Sequence, residues 1–224
     1  MAKQSSSSFK AASALPATVL AHLLFVAIFT MVLVWLLHFR EGLALRSPNK
    51  PKIFNVHPLL MVIGLILVSG QAIMAYATVP SSTKRQKVVH MILHLIALLF
   101  GIVGVYAVFK FHHEAKIPHV YTLHSWIGIS TISLFGIQWV LSFLTFMFPK
   151  ARSSTRAKIA PWHALLGIII FSMATIAALT GLTEKFIFLR LTNHSQEGLV
   201  INFTGLLILL YGISVALTAL LPAA

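Results

Sequence analysis

With 58% hydrophobic and 9% charged residues and a mean hydropathy of +0.91, this 224-residue chain cannot be an ordinary soluble domain and reads as an integral membrane protein. Its 17 Lys and Arg outnumber four acidic residues to give a net charge of +13. These cations sit between apolar runs, which fits lipid headgroups and membrane rims and argues against a nucleic-acid surface. The absence of cysteine rules out disulfides, thiolate-bound metal, iron–sulfur clusters and covalent haem attachment, so the 11 histidines carry the ligand chemistry.

Residues 1–13 are Ser-rich, show no small-residue cleavage site after a short apolar core, and read as a retained N-terminal tail. Residues 15–221 read as a single membrane domain of six transmembrane helices. The first run, about 15–37, is long enough for a hydrocarbon core of roughly 30 Å and carries Trp35 where an interfacial aromatic belongs. A polar loop broken by Pro48 and Pro51 precedes the second run, about 53–77, with His57 just inside it. Ser81, Ser82 and Thr83 offer capping hydroxyls to the third helix, about 83–109. Its entrance carries Lys84, Arg85 and Lys87 as a cationic collar, then His90 and His94 one turn apart on one face. A connection holding Lys110, His112, His113, Glu114, Lys116 and Pro118 leads to the fourth run, about 119–148, with His124 near its start. Lys150, Arg152, Arg156 and Lys158 form a second collar before Pro161 opens the fifth run, about 160–182, with His163 near its start. A polar loop with Glu184, Lys185, Arg190, His194 and Glu197 precedes the sixth run, about 199–221.

Antiparallel helices enter from alternate sides, so histidines near helix starts pair by depth. His57 with His124 lies near one surface, and His90 or His94 with His163 lies near the other. Gly64, Ala97, Gly101, Gly128 and Gly167 fall four or seven residues after a histidine on the same face, which predicts room for a flat macrocycle beside the backbone. A single intramembrane histidine is often a hydrogen bond between helices, but four at matched depths favour ligand roles. Opposed imidazoles supply both axial positions of a b-type haem, giving two haem b centres about 20 Å apart in a ~30 Å core. The competing reading is a proton-coupled anion or metal transporter with intramembrane histidines.

The histidine arrangement on helices two to five, the Thr122-Leu123-His124-Ser125-Trp126 segment, the Lys87-to-His90 spacing and the Trp162-His163 entrance resemble the cytochrome b561 family of ascorbate-dependent transmembrane electron carriers. The likeness covers about residues 15–221 and points to the plant ascorbate-specific members, the transmembrane ascorbate ferrireductases. It implies that helices two to five form a haem-binding four-helix bundle. In it His57 and His124 ligate the non-cytoplasmic haem iron, and His90 with His163 the cytoplasmic one. It also implies that cytosolic ascorbate meets Lys87 and Arg156, with Lys84 and Arg152 nearby. Phe111, His112, Tyr121 and Trp126 would form the second substrate site, where an electron leaves to monodehydroascorbate or a ferric chelate. His112 could bind metal or relay a proton there. A homodimer is a further implication, in an endomembrane such as the vacuolar membrane, or in the plasma membrane. The chain departs from many animal members in having Ala77 after Tyr76, and from some members in having Thr83 seven residues before His90.

Charge says little about sidedness, since Lys and Arg divide nine against eight between the two faces. With both termini cytoplasmic, all four acidic residues and the sequon Asn193-His194-Ser195 fall on the other side, where a sequon is usable.

Overall fold

The computed structural model describes residues 14–192 and 194–221; the N-terminal tail, the sequon's Asn193 and residues 222–224 lie outside the described residues. Among the described residues six helices are long and apolar enough to cross a membrane: α1 Ala14–Phe39, α2 Lys50–Thr78, α3 Thr83–Ala115, α4 Leu123–Phe146, α5 Ser153–Phe188 and α6 Gln196–Leu220. The chain is therefore an all-α, multi-pass membrane protein. We call the end where α1 begins and α6 ends the proximal end, and the other the distal end.

Five of the helices outrun their apolar stretches, because polar residues at the rims still find helical partners. α2 starts at Lys50, with Pro51 in its first turn, where a missing N–H costs nothing. α3 continues to Ala115, so Lys110, His112, His113 and Glu114 are helical and not a connection. Glu114 holds that last turn together, bonded to Lys110 at 3.0 Å and to Lys50 of α2 at 2.5 Å, and Lys116 ends it in the left-handed region at φ 57°. α5 starts at Ser153, so Pro161 lies inside the helix instead of opening it. The carbonyl it leaves unpaired belongs to the exposed Ala157 in the polar rim, where water can serve it. The same helix absorbs Glu184 and Lys185 at its distal end. α4 is shorter than expected: Thr122 and Ser125 exchange reciprocal bonds between side chain and backbone N–H, and this capping box starts the helix at Leu123.

α1 packs closely along α6. Ala21, Leu24, Ile28 and Val32 form one stripe and Ile201, Thr204, Ile208, Tyr211 and Val215 the other, all buried at spacings of three and four. Tyr211 reaches α2, where its hydroxyl donates to Leu67 O at 2.9 Å. Two features of α2 permit this. The stretch Val62–Val68 is a π-helix, which disturbs the usual i to i−4 ladder, and Gly70 has no Cβ, which would stand 2.4 Å from the Tyr211 oxygen. The remaining helices associate as two close antiparallel pairs, α2 with α3 and α4 with α5. The space between the pairs holds the site.

Candidate functional site

Two large cavities open between these helix pairs, one near each end. The proximal one is about 880 Å³ and the distal one about 510 Å³, both in the range that encloses a small molecule or cofactor. Leu65 of α2 and Ala174 of α5 line both, so these two side chains form the partition.

Across the distal cavity His57 and His124 face each other with ring centroids 6.1 Å apart and planes at 83°. Across the proximal one His90 and His163 stand 6.0 Å apart at 76°. Two metal–imidazole bonds of about 2.0–2.1 Å placed end to end leave rings at roughly this separation.

Each ring is held from behind by its Nδ1. His57 bonds Gly104 O at 3.1 Å, His90 bonds Ala72 O at 2.8 Å, His124 bonds Ala177 O at 2.9 Å, and His163 meets Ser142 Oγ at 2.9 Å. A carbonyl oxygen only accepts, so the first three rings carry their proton on Nδ1 and keep an unprotonated Nε2 for a metal. The Ser142 hydroxyl can donate or accept and leaves the His163 tautomer open. The anchors are crossed: α2 and α3 each hold the other's histidine, as do α4 and α5. Along α3 the His90-to-Gly104 interval is fourteen residues, and along α5 the His163-to-Ala177 interval is the same, about 21 Å of helix rise.

His94 is also in the proximal cavity, its ring 4.5 Å from that of His90, with a buried Nδ1 that has no partner. Among the described residues no three His, Cys, Asp or Glu side chains converge as a metal site. Each facing pair could supply two ligands to a group that brings the rest of its own. Haem b, whose macrocycle brings four nitrogens and leaves two axial positions, fits such a pair. Of the expected small residues, only Gly128 and Gly167 line the cavities, and nothing lies within 4 Å of where a Cβ on Gly128 would be. Gly64, Ala97 and Gly101 serve helix packing instead. A Cβ on Gly64 would lie 2.7 Å from Phe100 Cβ, one on Gly101 2.4 Å from Ile132 Cδ1, and Ala97 is fully buried.

The cationic collar divides. Lys87 lines the proximal cavity, donates to Phe146 O at 2.5 Å and stands 5.5 Å from the centre of the Phe146 ring, with Arg156 and Lys150 as its charged neighbours. Lys84 and Arg152 are exposed on the rim. At the distal end Phe111, His112 and Tyr121 line the cavity. His112 bonds Pro118 O at 3.0 Å and stacks on His119 at 5.6 Å. Trp126 does not join them: it is 61% exposed, because two residues past His124 is the opposite face of α4.

Comparison with known proteins agrees with this geometry. Residues 56–189, which hold all four facing histidines, match the family described as eukaryotic cytochrome b561. The chain belongs to the cytochrome b561 family. Membership entails binding of haem b. Among relatives, this cytochrome b561 is 48% identical over 214 residues to the probable ascorbate-specific transmembrane electron transporter 1 of Oryza sativa subsp. japonica, covering 94% of this chain and 92% of that one. It is 45% identical over 210 residues to transmembrane ascorbate ferrireductase 1 of Arabidopsis thaliana, covering 92% and 88%. A bovine relative, named as a transmembrane ascorbate-dependent reductase, is 38% identical over 204 residues, covering 89% and 80%.

Sequence reasoning missed the residues behind the rings. The small residues expected beside each ring lie on the histidine's own helix, whereas the ring lies against the neighbouring one. His124 is the clearest case: Ala177 O takes its Nδ1, and a Cβ on Gly181 would come within 2.7 Å of its ring. A small residue one turn from a histidine's anchor, on the facing helix, was the available signal. Lys185, read as a loop residue, was missed for the same reason that α5 was cut short.

Proposed function

We propose that this cytochrome b561 carries two haem b groups per chain, one between His57 and His124 and one between His90 and His163, and moves single electrons from cytosolic ascorbate across the bilayer to monodehydroascorbate or ferric chelates. The observation that carries the reading is the pair of facing imidazoles at each of two depths, every ring braced at Nδ1. Each bound haem supplies one-electron chemistry at its iron. The names of the rice, Arabidopsis and bovine relatives support ascorbate as the donor.

The chain's own groups do the rest. The four braced rings would hold the two haems at fixed depth. Lys87 and Arg156 meet an ascorbate anion with positive charge at the proximal cavity, where the Lys87 ammonium has a carbonyl and a ring face as its neighbours and can turn a proton to an incoming oxyanion. Phe111, His112 and Tyr121 offer an aromatic and imidazole surface at the distal exit. The proximal end is cytosolic, with both termini on that side. The protein works as a homodimer in an endomembrane such as the vacuolar membrane, or in the plasma membrane.

Purified protein should show two six-coordinate low-spin b-type spectra per chain; a folded, colourless protein from haem-replete cells would refute the proposal. Sidedness can be read from cysteines placed singly at the exposed Ser82 and His194 of this cysteine-free chain. An impermeant maleimide should reach Ser82→Cys only from the cytosolic face and His194→Cys only from the other.

A further inference from the structure

Lys185 stands apart among the cations at the distal end. It is one turn from the end of α5, lines the distal cavity, and places Nζ 3.9 Å from the centre of the Phe54 ring. Among the described residues it has no carboxylate within 4 Å and no hydrogen bond. Neither nearby acid pairs with it. Glu197 is buried and receives Trp35 Nε1 at 2.9 Å and the Arg40 guanidinium. Glu184 lines the same cavity without pairing to Lys185. Lys50 and Lys110, by contrast, both reach Glu114.

A cation–π contact is a weak attraction that gives the ammonium's three N–H donors no oxygen or nitrogen acceptor. An ammonium that lines a cavity within a membrane helix and has no acceptor of its own lacks its natural counterpart, an oxyanion. Phe54 also fixes where that counterpart must lie, since its ring is 6.1 Å from the ring of His57 and 5.2 Å from that of Phe111. The amine thus stands one aromatic ring removed from both the ligand pair and the exit surface.

We propose that Lys185 is the anion contact of the distal cavity, its ammonium binding an oxyanion of the molecule held there. This rests on the two-haem reading above. The oxyanion has two possible sources, a propionate of haem b at His57 and His124 or an anionic acceptor entering past Phe111.

The test compares Lys185→Met, which keeps an unbranched stem against Phe54, and Lys185→Arg, which keeps the charge, with wild type in redox titrations and acceptor kinetics. If a propionate is the partner, Lys185→Met keeps both haems and makes the distal centre about tenfold harder to reduce, a downward shift of about 59 mV for one electron. The proximal centre should stay in place and Lys185→Arg should restore the distal value. If the acceptor is the partner, both potentials stay put and the KM for an anionic acceptor rises about tenfold, with kcat retained. Both potentials and KM unchanged in a folded, haem-replete Lys185→Met protein would overturn the proposal and leave Lys185 as a rim lysine resting on Phe54. Failure of the underlying reading would look different: His57→Ala would then leave two intact centres, whatever Lys185 does.

Discussion

The two ends of the bundle solve the same problem with different stiffness. At the distal end both rings are braced by backbone carbonyls, of Gly104 and Ala177, and the His124 ring is pressed against Gly181. At the proximal end one of the two braces is the Ser142 side chain, the cavity is larger, and a third imidazole, His94, shares the space. A carbonyl in a helix cannot turn away or change its role, whereas a serine hydroxyl can do both. The distal site is therefore fixed by the fold and the proximal site partly by side chains. Substitution of second-sphere side chains should affect the ends unequally.

The comparison breaks most sharply at the ligands. His124→Ala and His57→Ala should each abolish the same one of two spectral centres and halve the haem per chain, and His163→Ala should abolish the other; loss of one shared centre in both His124→Ala and His163→Ala would show the pairing to be wrong. Gly181→Ala comes next. Its Cβ would meet the His124 ring at 2.7 Å, so the ring must move. Overpacking of about 1–3 kcal/mol predicts roughly 5- to 150-fold weaker retention of the distal haem. Gly205→Ala, with its nearest neighbours at 3.6 and 3.7 Å, is the silent control; the readout is haem loss against an apo-protein acceptor.

Lys87→Gln sharpens the comparison by reaching the proximal cavity from its mouth. Losing one charge-assisted contact of about 1.5–3 kcal/mol should slow reduction by ascorbate roughly 10- to 150-fold, chiefly through KM, while a small uncharged reductant acts at the normal rate. The residual rate should depend less on ionic strength than that of wild type. Ser142→Ala should give the smallest effect, about 1 kcal/mol or several-fold in proximal haem retention, with the distal centre unchanged. An effect of Ser142→Ala as large as that of Gly181→Ala would erase the difference in stiffness between the ends.

Much of this was legible in the chain. Six spans follow from hydropathy alone, and the depth of each histidine follows from its place at a helix entrance. What stayed hidden depends on how helices rotate against one another. Periodicity puts His90 and His94 on one face, but only packing shows that His90 faces His163 at 6.0 Å while His94 tucks beside it. The family resemblance put Trp126 in the second substrate site, but two 100° steps past His124 turn it to the opposite face of α4, where it is exposed. Pro161 read as a helix opener because proline favours the first turn, yet Ser153 to Ala160 form two turns ahead of it at the polar rim.

Crossed anchoring has a consequence for the membrane around the protein. Bilayers differ in thickness, and helices answer mismatch by tilting or by sliding past their neighbours. Here α2 cannot slide along α3 without breaking the His57–Gly104 and His90–Ala72 bonds together, and α4 is tied to α5 by His124–Ala177 and His163–Ser142. Each pair must tilt as one body, so mismatch is taken up at the rims, where Lys84, Arg85, Arg152 and Lys158 are free to snorkel. The distance between the two sites thus belongs to the protein and stays the same in a thick membrane and a thin one.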